Sequence, residues 1–336
     1  MCHFMGKQSV ILIFTLFVAV FSCKEKQGKL SSAPLNEIVR EIGNCNVLMG
    51  SAVGIAAQRP EQWDRYYVLR SKATGVELLA LTDDTNSVVR CYAFQALVER
   101  NSTDLFPVVL RHLSDTATLH TLHGCIGGNQ KTGDYFLEAV TEENGNHNFY
   151  RLNDKQRITI DSLILFGVGN KLEARDKLLS NLHPLKQYYS RIRQIAVDEN
   201  NNIAVVTLAK YKKEQDKALI KKLLTDAKSQ SYGFAAVVNF PDRSFYHTLE
   251  QTLKDEVAKT NTNHSERLKL LYQAIVQYKD QLSRQLFESI LQEAKGMQRI
   301  YHADYLYQAL KFYPSPIYDG LLKPIYSADS TKKSGT

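Results

Sequence analysis

Two histidines and a cysteine lie close together in the chain and are the first candidates for metal chemistry. His120, His123 and Cys125 fall within six residues, and His112 precedes them. Imidazole nitrogen and thiolate sulfur are ligands that zinc prefers in proteins. On a helix, however, His120 and His123 share a face while Cys125 points away from it, and no adjacent carboxylate completes the set. We therefore expect a structural role for these residues and no metal site.

The segment that follows has a lysine and a threonine in the manner of a phosphate-binding loop. In residues 124–133 (GCIGGNQKTG), the pair Lys131-Thr132 matches the end of that motif. Cys125 and Gln130 stand where the motif requires its two glycines. The motif also needs a preceding strand, which the pattern does not predict here. We expect an insertion loop between helices and no bound nucleotide.

Two carboxylate pairs could in principle support acid–base catalysis, which needs two positioned groups with separated pKa values. Asp83 and Asp84 lie in a polar turn, and Glu142 and Glu143 lie in a polar loop. Both settings are typical of solvated or helix-capping residues. The lone GVG at residues 167–169 adds no indication of a ligand. No serine or cysteine stands in a recognisable nucleophile context, so we predict no catalytic, cofactor-binding or metal-binding residue.

The amino-terminal segment predicts a different chemistry, the acylation of a cysteine. Lys7 precedes the apolar run Ser9–Phe21, which is too short to cross a bilayer because a helical span needs about 20 residues. A short apolar run behind a positive charge is typical of a signal peptide. It ends in residues 20–23 (VFSC), which resemble the lipobox of bacterial lipoproteins. The resemblance implies removal of residues 1–22 and lipidation of Cys23 by fatty chains such as palmitate, which anchor a protein stably when two or more are present.

Two alternatives for this segment stay open: an uncleaved membrane helix, and a plain secretory signal in which Cys23 is incidental. In the lipoprotein interpretation, residues 23–34 form a polar tether that holds the body off the membrane. The protein is then expected in the cell envelope, at the periplasmic face or the cell surface. Cys45, Cys91 and Cys125 remain as thiols, so at most one disulfide can form and a disulfide-stapled scaffold is excluded.

Composition limits the fold and the partners. The chain has 336 residues, of which 44% are hydrophobic and 23% charged, and this balance is typical of a folded protein. Its 17 glycines and 8 prolines are few for a loop-rich β protein and favour helices. The formal charge of +7 suits an anionic surface or an acidic partner, but it falls short of the basic character of nucleic-acid-binding proteins.

A repeat of helix pairs organises the folded part. A short amphipathic helix at residues 76–81 leads through a polar turn into a second helix at residues 88–100, whose apolar positions recur at helical spacing. The first helix returns 32 residues later, with Leu113 and Asp115 in the places of Leu81 and Asp83. A fixed period of this size is the signature of stacked helix pairs.

The same residues resemble the HEAT-repeat family. The features that carry the resemblance are LLALTDD at residues 78–84, Arg90 after a valine pair in the second helix, and Asp104 before the next first helix. It covers about residues 76–115 and returns more weakly at residues 203–224. The resemblance implies an all-α body over residues 35–326, an α-solenoid of degenerate HEAT-like helix pairs without an internal domain boundary. We expect residues 327–336 to be a disordered tail.

Two clusters on the predicted helices are candidates for binding, although ordinary solvation or packing explains each more simply. A lysine cluster could meet anionic lipid or an acidic partner, and a carboxy-terminal aromatic cluster could bind a partner or cap the last repeat. The lysines are Lys210, Lys212, Lys213, Lys217, Lys221 and Lys222. The aromatic residues are Tyr301, Tyr305, Tyr307, Phe312, Tyr313, Tyr318 and Tyr326.

The functional hypothesis is a membrane-tethered, non-enzymatic binding or scaffold lipoprotein of the bacterial cell envelope. Its helix-pair surface would receive a protein or peptide partner, and its membrane contact would come through Cys23. Neither a nucleic acid nor a small-molecule cofactor is expected. The main alternative is an enzyme, since some HEAT-like proteins are lyases or glycosylases, although their intracellular settings conflict with an export signal. A purely structural envelope protein is a third possibility.

Overall fold

The computed structural model describes residues 30, 32–101, 103–141, 148–167, 171–259 and 265–323. The predicted signal peptide, Cys23, most of the tether, the Glu142/Glu143 pair and the predicted tail lie outside the described residues. The described chain is mostly helical, as predicted. It forms two compact units, one ending at Arg175 and one beginning at Asp176. The single array over residues 35–326 stays a prediction.

The first unit is built from helices that contact one another in pairs. They are α1 (Leu35–Cys45), α2 (Glu61–Lys72), α3 (Gly75–Leu81), α4 (Ser87–Arg100), α5 (Phe106–His112), α6 (Thr132–Thr141) and α7 (Asp154–Phe166). Helix α1 contacts α2, α3 contacts α4, and α5 contacts α6. The second members of these pairs also touch in sequence order, α2 against α4 and α4 against α6. Helix α8 (Ala174–Asn181) spans the boundary between the two units.

The second unit repeats this arrangement over four pairs. Its helices are α9 (Tyr189–Asp198), α10 (Asn202–Ala209), α11 (Lys217–Thr225), α12 (Gln230–Asn239), α13 (Arg243–Ala258), α14 (Glu266–Val276), α15 (Gln281–Glu293) and α16 (Gly296–Phe312). Each odd-numbered helix contacts the even-numbered helix that follows it. The even-numbered helices form one series of neighbours, and α11, α13 and α15 form another.

Local sequence explains where many of these helices begin. Thr74 accepts a hydrogen bond from the Glu77 N–H, and the Glu77 carboxylate accepts one from the Thr74 N–H, a capping box that starts α3. Asn86 caps α4 and Asp242 caps α13. Such caps satisfy the N–H groups that a first helical turn leaves unpaired. Ser265 stands at the cap position of α14 without a side-chain cap bond.

A three-stranded sheet, which the sequence did not predict, lies in the first unit. Strand β2 (Thr118–Gly124) pairs in parallel with β1 (Leu48–Val53) and antiparallel with β3 (Ile126–Lys131). The predicted insertion loop at residues 124–133 is therefore the second half of a β-hairpin followed by the start of α6. Gly124 has a φ of +57° at the first central position of the hairpin turn, where glycine is favoured.

Each unit has its own apolar core. In the first unit, the rings of Phe94 and Phe136 stack with centroids 4.0 Å apart, beside the fully buried Cys91. In the second, Tyr272 stacks on Phe287 with centroids 5.4 Å apart. No helix in the described part of the chain is both long and apolar enough to cross a bilayer.

Candidate functional site

The predicted histidine–cysteine cluster lies on the hairpin, and the helical geometry assumed for it was wrong. His120 and His123 are both on β2, where residues three apart point to opposite faces of the sheet. The His120 Nδ1 lies 2.6 Å from Asn129 Oδ1 on β3, and the His123 ring packs over Gly50 on β1. Cys125 is exposed in the hairpin turn. Among the described residues, no group of His, Cys, Asp and Glu side chains is arranged to hold a metal ion.

The lysine of the phosphate-loop pattern is used within the fold. Lys131 is the last residue of β3, and its ammonium donates to the carbonyl oxygen of Lys171. Thr132 is fully buried, and its hydroxyl donates to the Ala117 carbonyl at 3.1 Å. The glycine-rich stretch before them is an extended strand rather than a loop. Through these contacts, Lys131 and Thr132 hold the end of the hairpin and the start of α6 in place.

The aspartates of the repeat pattern join a charged network between helix ends. Arg90 Nε lies 3.0 Å from Asp115 Oδ2, and both side chains are largely buried. His112 Nδ1 lies 3.3 Å from the same oxygen, and His112 Nε2 lies 3.3 Å from Asp83 Oδ1. Asp84 uses its carbonyl oxygen to accept from Arg90 at 2.6 Å. The network ties the turn after α3 to the turn after α5.

The environment of Asp115 keeps it ionised. Burial by itself raises the pKa of this carboxyl, but hydrogen bonds from His112 and the Ala117 N–H, together with the Arg90 charge, outweigh burial and lower the pKa. The ionised Asp115 carboxylate therefore stabilises the fold. Nothing in the network leaves an acid and a base poised around a reacting atom.

The predicted lysine cluster does not form one free basic surface. Lys210 donates to the carbonyl oxygens of Ser180 and Leu182 at 2.7 and 3.1 Å, and burial lowers its pKa. Lys213 lies 3.4 Å from the ring centroid of Tyr189. Lys217 pairs with Glu214 and Asp242 at 2.7 and 2.5 Å, and Lys222 lies 3.3 Å from the Asn200 amide oxygen. Four of the six cations therefore have partners inside the unit.

The carboxy-terminal aromatic cluster is divided between core and surface. Tyr305 and Tyr318 are buried, and the Tyr318 hydroxyl lies 2.8 Å from Ser283 Oγ. Tyr307 and Phe312 are more than half exposed, while Tyr326 lies outside the described residues. The packing part of the prediction therefore holds for Tyr305 and Tyr318.

A row of hydrogen-bonded polar side chains, which the sequence analysis missed, crosses the second helices of the first unit. Arg70 of α2 lies 2.9 Å from Glu99 of α4, and Gln95 of α4 donates to Glu99 at 2.9 Å. The hydroxyl of Tyr135 on α6 donates to Gln95 at 2.9 Å. All four residues are partly buried. We call these four residues the polar row.

Two tyrosines of the polar row and its surroundings have raised pKa values, and a separate polar pair joins α6 to the sheet. Burial, followed by the nearby Glu99 charge, raises the pKa of Tyr66 beneath it, and burial raises the pKa of Tyr135. Gln130 of β3 donates to Glu138 of α6 at 3.0 Å. The one sequence signal for the row is the pair Gln95 and Glu99, four residues apart on a mostly apolar helix.

An open groove of about 350 Å³ lies in the second unit among α9, α10 and α11. Its polar lining includes Asn200, Asn202, Lys222 and Asp226. Of the two ionisable residues in this lining, Lys222 lies 3.3 Å from the Asn200 amide oxygen.

Comparison with known proteins gave no match: no family model matches the chain, and no curated protein and no solved structure does so.

Proposed function

We propose that the protein is a lipoprotein of the bacterial cell envelope, anchored through Cys23, that binds a protein or peptide partner without catalysing a reaction. The binding surface would be the face formed by α2, α4 and α6. The observation that carries this proposal is the polar row, which runs over three successive helices.

The polar row suits recognition of a partner's backbone. A half-buried chain of amide, carboxylate, guanidinium and hydroxyl groups gains little for stability over apolar packing, since polar groups lose hydration on burial. The same groups can exchange their mutual hydrogen bonds for bonds to an extended peptide. Tyr67, 56% exposed on α2, lies one helical turn from Arg70 and adds an aromatic contact. Tyrosine and arginine are enriched at protein interfaces.

The arrangement of helices supports a solenoid as the scaffold of this surface. Within each unit the second helices of successive pairs are neighbours, as stacking of repeats requires. Each unit also has an aspartate held by arginine, the largely buried Asp115 by Arg90 and the buried Asp216 by Arg193, at 3.0 and 3.3 Å. From these contacts we propose that the helix pairs form a HEAT-like α-solenoid.

Site-specific photo-crosslinking tests the binding surface. A photoreactive phenylalanine at Tyr67 should trap a discrete partner in intact cells, identified by mass spectrometry. The control places the same photoreactive phenylalanine at Val76, which is 79% exposed on α3, a helix that carries no residue of the polar row. Equal or no crosslinking from both positions would reject the surface. Turnover of a screened substrate by the purified protein would favour the enzyme alternative.

Metabolic labelling tests the anchor. A clickable palmitate analogue should label the wild-type protein and leave Cys23→Ala unlabelled, with the variant recovered as unprocessed precursor. Labelling that persists in Cys23→Ala would place acylation elsewhere, and no labelling of the wild type would reject the lipoprotein assignment.

A further inference from the structure

Two turns of the first unit meet at one end of its sheet and expose apolar side chains. The turn after β1, residues 54–57, is closed by Val53 and Gln58, which exchange backbone hydrogen bonds of 2.8 and 2.9 Å. The hairpin turn between β2 and β3 lies beside it, since the Gly54 N–H donates to the Gly124 carbonyl at 2.9 Å. We call residues 54–57 and 124–126 together the sheet tip.

The sheet tip is apolar where a surface turn is ordinarily polar. Ile55 is 99% exposed and Ile126 is 77% exposed, the first and third most exposed large apolar side chains in the described chain. Ala56, Ala57 and Cys125 are exposed beside them. Surface turns usually carry glycine, asparagine, aspartate, serine or proline. Two exposed isoleucines on the adjacent turns of the sheet tip therefore indicate a surface that becomes buried against another molecule or a membrane.

The charged residues near the sheet tip indicate what kind of surface it would contact. Residues 46–60 and 116–133, which contain the three strands and both turns, have no aspartate or glutamate. Their ionisable side chains, apart from Cys125, are Arg59, His120, His123 and Lys131. Arg59 is paired with Asp64 of α2 at 2.5 Å, and this carboxylate offsets its positive charge. Lys131 lies at the opposite end of the hairpin, where it pairs with Thr118. An apolar tip whose strands and turns carry no carboxylate suits the interface of a membrane with anionic headgroups, because those headgroups repel acidic side chains.

The predicted tether places a membrane within reach. Eleven residues, 24–34, lie between Cys23 and Leu35, the first residue of α1. Fully extended, they span about 40 Å at most, at 3.3–3.6 Å per residue. A protein anchored at Cys23 therefore keeps the first unit close to the bilayer surface.

We propose that the sheet tip inserts Ile55 and Ile126 into the interface of the membrane to which the protein is anchored. This inference rests on the proposed lipid anchor. The acyl chains restrict the distance of the first unit from the bilayer, and the sheet tip sets its orientation. Helices α2, α4 and α6 contact the sheet through β1, β2 and β3, so an inserted tip fixes how the polar row is presented to a partner.

Fluorescence from the exposed thiol of Cys125 tests the insertion. The lipidated protein is labelled with an environment-sensitive nitrobenzoxadiazole dye and reconstituted in vesicles of equal parts phosphatidylcholine and phosphatidylglycerol. The Cys125→Ser variant gives the background from other thiols. We expect blue-shifted emission that is quenched by lipids brominated on the acyl chain. The double variant Ile55→Asp/Ile126→Asp should lower the membrane-embedded fraction of label at least about 10-fold, since aspartate is strongly disfavoured at this depth.

The control and the contrary outcomes separate the tip from the anchor. Val76→Asp, another exposed apolar position, should leave the signal unchanged because α3 is not part of the sheet tip. If the protein stays on the vesicles but its label is unquenched, the anchor stands and the insertion is rejected. If the label is shielded only after a protein partner is added, the tip is a protein-binding site instead. Failure to remain on vesicles would reject both proposals.

Discussion

Arg90 and Asp115, 25 residues apart, are joined by a 3.0 Å contact between Nε and Oδ2 in a largely buried setting. The guanidinium also donates to the carbonyl oxygens of Asp84 and Thr85 at 2.6 and 3.0 Å. The Arg90 side chain, at the start of α4, therefore joins the turn before α4 to the turn after α5. Its five N–H donors are suited to bridging several acceptors at once.

Removing Arg90 should destabilise the first unit strongly. Arg90→Ala leaves the Asp115 carboxylate without its cation and two turn carbonyls without donors, and breaking a buried pair costs about 3 kcal/mol. Urea unfolding followed by the fluorescence of Trp63, the single tryptophan, reports this unit. The matched control is Arg111→Ala, because Arg111 pairs with Asp83 with both side chains more than half exposed. That loss should stay below about 1 kcal/mol, and equal losses would contradict the role given to burial.

A methyl group at Gly133 should be poorly tolerated. Its Cβ would lie 2.6 Å from the His112 carbonyl oxygen and 3.1 Å from that of Asp115. Backbone oxygens at this distance must move, so Gly133→Ala should cost about 1–3 kcal/mol, measured by Trp63 fluorescence in urea. Gly75→Ala is the control, since no atom lies within 4 Å of its Cβ, and it should be neutral or slightly stabilising. A stable Gly133→Ala variant would show that this contact is looser than described.

The stability of the second unit should fall on mild acidification because of His302. This residue is fully buried, its Nδ1 lies 2.8 Å from the Tyr272 hydroxyl, and burial lowers its pKa from 6.5 to about 4. Between these values the unfolded chain binds the proton and the folded chain does not, so lowering the pH favours unfolding. The loss begins near pH 6.5, approaches about 3 kcal/mol, and levels off below about pH 4.

Urea titrations followed by circular dichroism across this pH range check the effect. His302→Gln should be less stable at neutral pH and should lose most of the pH dependence between pH 6.5 and 4. The control, His247→Gln on the exposed side of α13, should keep it. An unchanged pH dependence in His302→Gln would assign the effect to other groups.

The hydroxyl of Tyr318 should contribute measurably to the stability of the second unit. It donates to the Val276 carbonyl at 3.2 Å, accepts from the Lys279 N–H at 3.1 Å and contacts Ser283. Tyr318→Phe removes the side-chain partner of the Val276 carbonyl and of the Lys279 N–H, while Ser283 keeps its hydrogen bonds to Asp280. The substitution should cost about 1–3 kcal/mol in urea unfolding followed by circular dichroism. Tyr232→Phe, at a position 39% exposed on α12, should cost less than about 0.5 kcal/mol.

Local sequence patterns predicted most of the helices. The spacing of apolar residues and the caps at Asn86 and Asp242 depend on residues within a few positions of one another, so they can be interpreted without the rest of the fold. Cys91 is fully buried, as its position among the apolar residues of α4 indicates. The repeat spacing also singled out Asp83 and Asp115, which the structure joins through His112.

The sheet and the sites on it depended on contacts that no local pattern contains. Strand β1 pairs with β2 about 70 residues later, as Leu48 with Thr121, and a glycine-rich strand such as β3 has little propensity of its own. For the same reason the faces of His120 and His123 were assigned wrongly. The polar row joins three helices, and each member alone resembles a solvated residue.

The sequence by itself determined a mostly helical body built from capped amphipathic segments, because helix formation is governed by neighbours within one or two turns. Only the tertiary structure decided the sheet, the polar row and the meeting of Gly54 with Gly124. These features arise from the packing of distant segments, and their energies come from burial and from hydrogen bonds between partners far apart in the chain.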